Sequence, residues 1–269
     1  MTPSAVHSTS GFLPWIEFGE FRIQSYFVII SLVLCVCAYF IPKRAIRRGV
    51  SARAAIDLFI AGMLGGLIGS RLFHIFWEEP RYYFESPWRV FDFMSGGFVW
   101  YGGAIGAVVS MYAWMRIKKG RDFLTWLDFF APVAAFGYAG GRFACVLTGC
   151  CYGRVCEWPL GGRHDDELAG IFFRFPTQGF AVLWELGLAF FLLYLERQIP
   201  PSHGRRRPSR GRVFIWWLGL HGLGRFFMEL LRADPRGPAF GVITVSLAMS
   251  LVMMISAAVF YRLRLRKHV

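Results

Sequence analysis

The chain has 269 residues, of which 55% are hydrophobic and only 17% charged, and its mean hydropathy is +0.44. A soluble domain carries about a quarter charged residues, so the polar surface here is too small to cover the apolar mass, which excludes soluble, disordered, collagenous and secreted disulfide-scaffold classes. The net charge of +13 sits in short clusters between long apolar runs, which points to membrane topology and not to a nucleic-acid partner.

A bilayer core of about 30 Å is crossed by roughly 20 apolar residues of helix. Segments 23–41, 55–77, 97–117, 126–147, 178–195, 213–231 and 240–261 meet that requirement. The first is expected to remain as a span: Glu17 and Glu20 precede it where a cleavable signal has a basic start, and no small-x-small site follows. The connection after it carries Lys43, Arg44, Arg47, Arg48 and Arg53. The next, 78–96, is rich in Trp, Tyr, Phe and Pro and is predicted to form an interfacial arm. Arg116, Lys118, Lys119 and Arg121 follow the third segment, and 148–177, the longest connection on the opposite side, has room for a small external head. Arg197, Arg205, Arg206, Arg207, Arg210 and Arg212 follow the fifth segment, and Arg262, Arg264, Arg266 and Lys267 close the chain. Basic clusters thus occupy alternate connections, which places the N-terminus outside and the C-terminus in the cytoplasm. The predicted fold is an all-α integral membrane protein, one domain over 1–269 built as a seven-transmembrane-helix bundle.

Arg71, Arg142, Arg225 and Glu229 fall inside these apolar segments, where an unpaired charge costs a few kcal/mol or more. Counted from the basic end of each segment at 1.5 Å per residue, the three arginines lie roughly 20–24 Å up, at one level in the outer half of the core. Tyr101 enters from the outer end of its own segment at a similar depth. His221, Arg225, Glu229 and Arg232 are spaced to share one helix face. One acid does not neutralise three arginines, so an anionic ligand is expected, and the forked guanidinium suits the phosphate of a lipid headgroup. The alternative is a salt-bridge spine that only holds the bundle. Glycine pairs at 62/66, 65/69, 102/106 and 137/141 predict close helix contacts.

At these residues the sequence resembles the prolipoprotein diacylglyceryl transferase family along essentially its whole length. The landmarks are Ser25 and Tyr26; Gly69, Ser70, Arg71 and Leu72; Tyr101, Gly102, Gly103 and Gly106; Gly141, Arg142 and Phe143; Gly149, Gly153 and Arg154; Pro176, Thr177 and Gln178; and Gly224, Arg225, Phe226, Glu229 and Arg232. Four positions depart from the family's pattern. Tyr101 occupies the family's histidine position, His221 its tyrosine position, and Cys145 and Cys150 the positions of an asparagine and a glutamate.

The resemblance implies transfer of diacylglyceryl from phosphatidylglycerol to the lipobox cysteine thiol of a prolipoprotein, with release of glycerol phosphate, at the periplasmic side of a bacterial inner membrane. His221, Tyr101, Arg142 and Arg225 are then the expected catalytic residues, the arginines taking the phosphate and His221 or Tyr101 the thiol proton. Arg71, Tyr26, Glu229, Arg232, Gly102, Gly103, Gly149, Gly153 and Arg154 are expected to bind substrate. Phosphatidylglycerol, the prolipoprotein cysteine and membrane lipid are the expected partners, with no nucleic acid, no cofactor and no metal. The alternative is a non-catalytic or repurposed phospholipid-binding paralogue, since the altered positions are those a lost activity would release. Cys35 and Cys37 are expected to be packing residues. Cys145, Cys150, Cys151 and Cys156 cluster at the outer mouth of the fourth segment. A disulfide in the external loop is the first expectation there; a reactive thiol and a zinc site of unusual spacing are the alternatives.

Overall fold

The computed structural model describes residues 13, 15–19, 21–92, 97–118, 123–157, 162–166, 170–198, 211–233 and 244–265. An N-terminal hairpin pairs β1 (Trp15–Phe18) with β2 (Phe21–Gln24) around Gly19, whose φ of 63° suits the tight turn. It leads straight into α1 (Ser25–Arg47). Ser51 caps α2 (Ala52–Phe73) by accepting a hydrogen bond from the Ala54 amide, and the helix then loosens into a π-helical turn at His74–Glu78. The arm stretch holds a short helix, α3 (Pro80–Phe84), and a 3-10 turn at Pro87–Phe91, each started by a proline whose missing N–H costs nothing in a first turn. Then follow α4 (Trp100–Ile117), α5 (Phe123–Thr148), a hairpin of β3 (Gly162–Asp166) and β4 (Gly170–Arg174), α6 (Thr177–Arg197), α7 (Arg212–Leu231) and α8 (Val245–Leu265).

Each apolar segment of the sequence overlaps one of the long helices, residues 240–243 of the last segment lying outside the described residues. Among the described residues, Ser25–Arg47, Ala52–Glu78, Phe123–Thr148, Thr177–Arg197 and Val245–Leu263 are long and apolar enough to cross a membrane. Helices satisfy every backbone polar group internally, which hydrocarbon demands. The outer faces carry exposed Leu64, Ile68, Val109, Leu183, Phe190 and Ile255, as a lipid-facing surface does. The protein is a helical membrane protein.

Glycine brings α2 and α4 into direct backbone contact. A Cβ on Gly65 would stand 2.6 Å from the Gly106 carbonyl oxygen, and one on Gly69 would stand 2.4 Å from that of Gly102. Ser110 Oγ crosses the same seam to donate to the Ala61 carbonyl at 2.7 Å. Elsewhere Ala131, Ala135, Leu188, Ala189, Leu192, Val213, Trp217 and Met253 form a core among α5, α6, α7 and α8. Cys37, Ile41, Ala45, Ala55 and Phe129 form another among α1, α2 and α5, so Cys37 packs as expected, whereas Cys35 is exposed.

One end of the bundle is closed by polar clasps. Glu196 receives Arg44 at 2.6 Å and Arg48 at 3.2 Å, Arg44 also donates to the Phe129 carbonyl, and the Asp128 carboxylate accepts the amides of Gly211 and Phe214 to cap α7. Two arginines read from sequence as mere topology markers therefore also bind α1 to α6. The opposite end contains the starts of α1, α4, α6 and α8 and the last turns of α2, α5 and α7. The described start of the 148–177 connection folds against it: Gly153 bridges to Arg232 and the Arg154 amide donates to the Leu231 carbonyl at 2.9 Å, while Val155 bridges to Arg174 within the connection itself.

Candidate active site

That second end gathers most of the candidate residues into linked groups. On α7, Arg225 and Glu229 are one turn apart, and Arg225 Nη2 lies 2.7 Å from Glu229 Oε2 and donates to Ser246 Oγ at 2.7 Å. Thr244 Oγ1 donates to the other Glu229 oxygen at 2.6 Å. Tyr101, at the start of α4, donates its hydroxyl to the Ser246 carbonyl at 3.3 Å. The start of α8 thus ties the α4 tyrosine to the α7 arginine, and both Arg225 and Glu229 are buried.

His221, one turn below Arg225, is completely buried. Its ring stacks on Trp217 and Trp100 and meets the edge of Tyr138, while Nδ1 lies 2.7 Å from Glu185 Oε1 on α6. Nε2 has no hydrogen-bond partner among the described residues. Tyr138 in turn accepts a hydrogen bond from Arg142 Nη2 at 2.6 Å, and the guanidinium lies 4.9 Å from its ring centre. The imidazole is therefore joined to Arg142 on one side and, through Trp100, to the Tyr101 ring on the other.

Arg142 also faces the mouth of α5. Tyr26, Cys145 and Cys151 lie within electrostatic range of it, and Arg232, just past the end of α7, acts on Cys151. The Cys151 thiol is held well below the usual thiol range by hydrogen bonds from Cys145 and Cys150, reinforced by Arg232 and Arg142. All six cysteines are free thiols, so the expected loop disulfide is absent from the structure.

Arg71 is placed differently. It is buried at the end of α2 and donates to the carbonyls of Arg89, Val90, Asp92 and Gly97, with its guanidinium over the Tyr83 and Phe98 rings. It pins the described part of the 78–96 arm. Residue counting along a helix says nothing about which way a side chain turns around it. His74 joins the same group through Tyr83. Gly102 and Gly103 both face α2. Gly149 makes a left-handed turn at φ 72°, and a Cβ on Gly153 would collide with Phe175 at 2.6 Å. The exposed Arg154 contributes backbone bonds to Leu231 and Phe175.

Glu185, Tyr138, Trp100 and Ser246 escaped sequence reasoning, as did Trp217 and Thr244. Glu185 had a signal, since a carboxylate in the middle of an apolar segment is as costly as Glu229. The others look like ordinary membrane-helix residues until their neighbours are known.

Residues 14–263 match the family model of prolipoprotein diacylglyceryl transferase. The chain belongs to the prolipoprotein diacylglyceryl transferase family. A relative from Clostridium tetani (strain Massachusetts / E88), named phosphatidylglycerol-prolipoprotein diacylglyceryl transferase, is 31% identical over 253 residues, covering 93% of this chain and 97% of its own. The second transferase of that name from Clostridium perfringens (strain 13 / Type A) is 29% identical over 92% of this chain and 93% of its own. One from Janthinobacterium sp. (strain Marseille) is 32% identical over 71% and 69%. Tyr101 and His221 sit in adjoining groups of one constellation: Trp100 touches both the Tyr101 ring and the His221 ring.

Proposed function

We propose that this protein transfers diacylglyceryl from phosphatidylglycerol to the lipobox cysteine thiol of prolipoproteins and releases glycerol phosphate. The full-length match to relatives bearing that activity in their names carries the proposal. The convergence of Arg142, Arg225, Tyr101 and His221 at one end of the bundle supports it.

The thiol sulfur attacks the glyceryl carbon that bears the phosphate ester, and negative charge grows on the departing phosphate. Arg142 and Arg225 receive that charge in a water-poor interior, where preorganised donors need no reorganisation. Glu229 and Ser246 hold the Arg225 fork, and Tyr138 holds that of Arg142. Of the two candidates for the thiol proton, Tyr101 is committed to the Ser246 carbonyl. His221 has Nδ1 oriented by Glu185 and Nε2 without a partner among the described residues, so it is assigned the proton. Tyr26 and Arg232 flank the path at the α5 mouth, Arg71 serves through the arm, and the glycines at 102, 103, 149 and 153 serve through backbone approach.

In the same proposal 1–269 is one domain of seven spans in the bacterial inner membrane, N-terminus outside and C-terminus cytoplasmic. The site lies toward the periplasm beneath the 148–177 head and the 78–96 arm. Alternate basic connections and the location of the constellation, opposite the end bearing the Arg44 clasp, support this orientation. The test is transfer of labelled diacylglyceryl by Arg142→Ala and His221→Ala in membranes, with rescue of a strain lacking its own transferase. Near wild-type transfer by both variants would end the assignment, and lipid binding without transfer by the wild type would favour a phospholipid-binding paralogue.

A further inference from the structure

The sulfur atoms of Cys145, Cys150 and Cys151 all lie within 4.8 Å of one another. Cys145 is on the last turn of α5, and the other two are carried back toward it by a turn in which both Gly149 and Cys151 have left-handed backbone, φ 72° and 62°. Cys151 is the one non-glycine residue among those described with positive φ, a conformation that side chains resist and that persists only where surroundings enforce it. Here they do. Thr177 Oγ1 donates to the Cys151 carbonyl at 2.9 Å, Gln178 Nε2 to the Cys150 carbonyl at 2.6 Å, and Thr148 Oγ1 to the Cys150 sulfur at 3.4 Å. Residues of α5 and α6 thus hold three sulfurs together beside Arg142, Arg232 and Tyr26.

Three thiolates on a zinc ion at about 2.3 Å stand about 3.8 Å apart, a distance that small side-chain adjustments reach from this arrangement. Among the described residues the group offers three protein ligands, and Cys156 is outside it. Structural zinc sites close with four ligands, whereas sites that do chemistry keep one position open. Arg142 and Arg232 balance the negative charge that three thiolates leave on a divalent ion.

We propose that Cys145, Cys150 and Cys151 bind a zinc ion with one open coordination position, and that this position takes the acceptor thiol of the transfer reaction. The inference rests on the function proposed above and supplies its nucleophile. When the thiol enters, its S–H bond breaks, an S–Zn bond forms, the water in that position leaves and the proton passes to His221. The metal-held sulfur then gives its lone pair to the glyceryl carbon. The C–S bond forms, the C–O bond to phosphate breaks, and its electron pair stays on the phosphate oxygen facing Arg142 and Arg225. The product thioether is a neutral, weak ligand and yields the position to water. No oxidant is required, and substitutions that remove the family's asparagine and glutamate become ligands instead of losses.

The full chain is purified in detergent under reducing conditions, and zinc is measured per chain. One equivalent is expected, and it should be lost in Cys150→Ala, the exposed member and so the variant least dependent on packing, and in Cys151→Ser. Cobalt put in place of zinc should show thiolate-to-metal charge-transfer absorption. That spectrum should shift on adding a peptide with a lipobox cysteine and stay unchanged with the serine peptide. No bound metal, a disulfide among the three cysteines in the protein as isolated, or a cobalt spectrum indifferent to the cysteine peptide overturns the proposal. Full transfer by metal-free protein with intact thiols overturns it while leaving the transferase function standing. If the cobalt spectrum responds to the thiol and no diacylglyceryl moves under any condition, the metal site stands and the transferase function fails.

Discussion

Gly102 offers the sharpest test of how the bundle positions its chemistry. Replacing it with alanine puts a methyl 2.3 Å from Phe73 Cβ and 2.5 Å from the Gly69 carbonyl oxygen. Neither atom is the free end of a side chain, so α2 and α4 must part by about 1 Å, the gap between 2.3 Å and the 3.4 Å at which ordinary contact begins. Overpacking of this kind costs about 1–3 kcal/mol, and in lipid no hydrophobic effect between helices offsets it. Tyr101 is the next residue and shifts with the helix, and a 1 Å misplacement near the chemistry lowers rates by about 10²-fold. Gly103→Ala is the control, because its methyl meets the Gly66 oxygen at 3.4 Å and Ser70 Cβ at 3.5 Å, ordinary contact on the same seam. Both variants are heated in detergent to follow the fraction remaining folded, and transfer of labelled diacylglyceryl is measured per folded molecule. Gly102→Ala should lose stability and transfer, whereas Gly103→Ala should keep its stability. Equal stability losses at the two positions would refute the seam geometry, and loss of transfer at Gly103 without loss of stability would identify direct substrate contact there.

Arg142→Lys and Arg225→Lys keep the charge but lose the planar fork, so each should lower transfer by about 10²–10³-fold, and wild-type rates in either variant would remove that arginine from the phosphate site. Glu185→Gln keeps shape and a hydrogen bond to His221 but loses the charge; transfer should fall about 10²-fold with the thermal midpoint little changed, and an unaltered rate would make the pair purely structural. Arg71→Gln should release the arm, raising amide hydrogen exchange across 87–92 at least about tenfold, since each bond to a charged donor is worth about 1.5–3 kcal/mol. Glu196→Gln removes the carboxylate shared by Arg44 and Arg48 and should destabilise the fold by about 3–5 kcal/mol, while transfer per folded molecule is retained.

The helices were legible because apolar length and the prohibition on open backbone polar groups in hydrocarbon leave one local solution. The small hairpins β1–β2 and β3–β4 were not, since strands of four or five residues are too short to show a period and their pairing depends on what they fold against. Arg142, Arg225 and Glu229 stood out because intramembrane charge is expensive, and their level followed from counting residues. Arg71 shows the limit of that method. Its side chain turns toward the arm and spends its donors on carbonyls nearly twenty or more residues away in sequence.

From sequence alone came a membrane-embedded helical chain of this transferase family, with buried arginines too numerous for their acids. Tertiary packing alone decided the pairings: His221 with Glu185 across 36 positions, Tyr101 with Ser246 across 145, and three cysteine sulfurs drawn together by a left-handed turn. The physical reason is that apolar length specifies a helix, but its rotation is chosen by glycine seams and side-chain interlocking with neighbours far along the chain. A side chain's partner depends on that rotation.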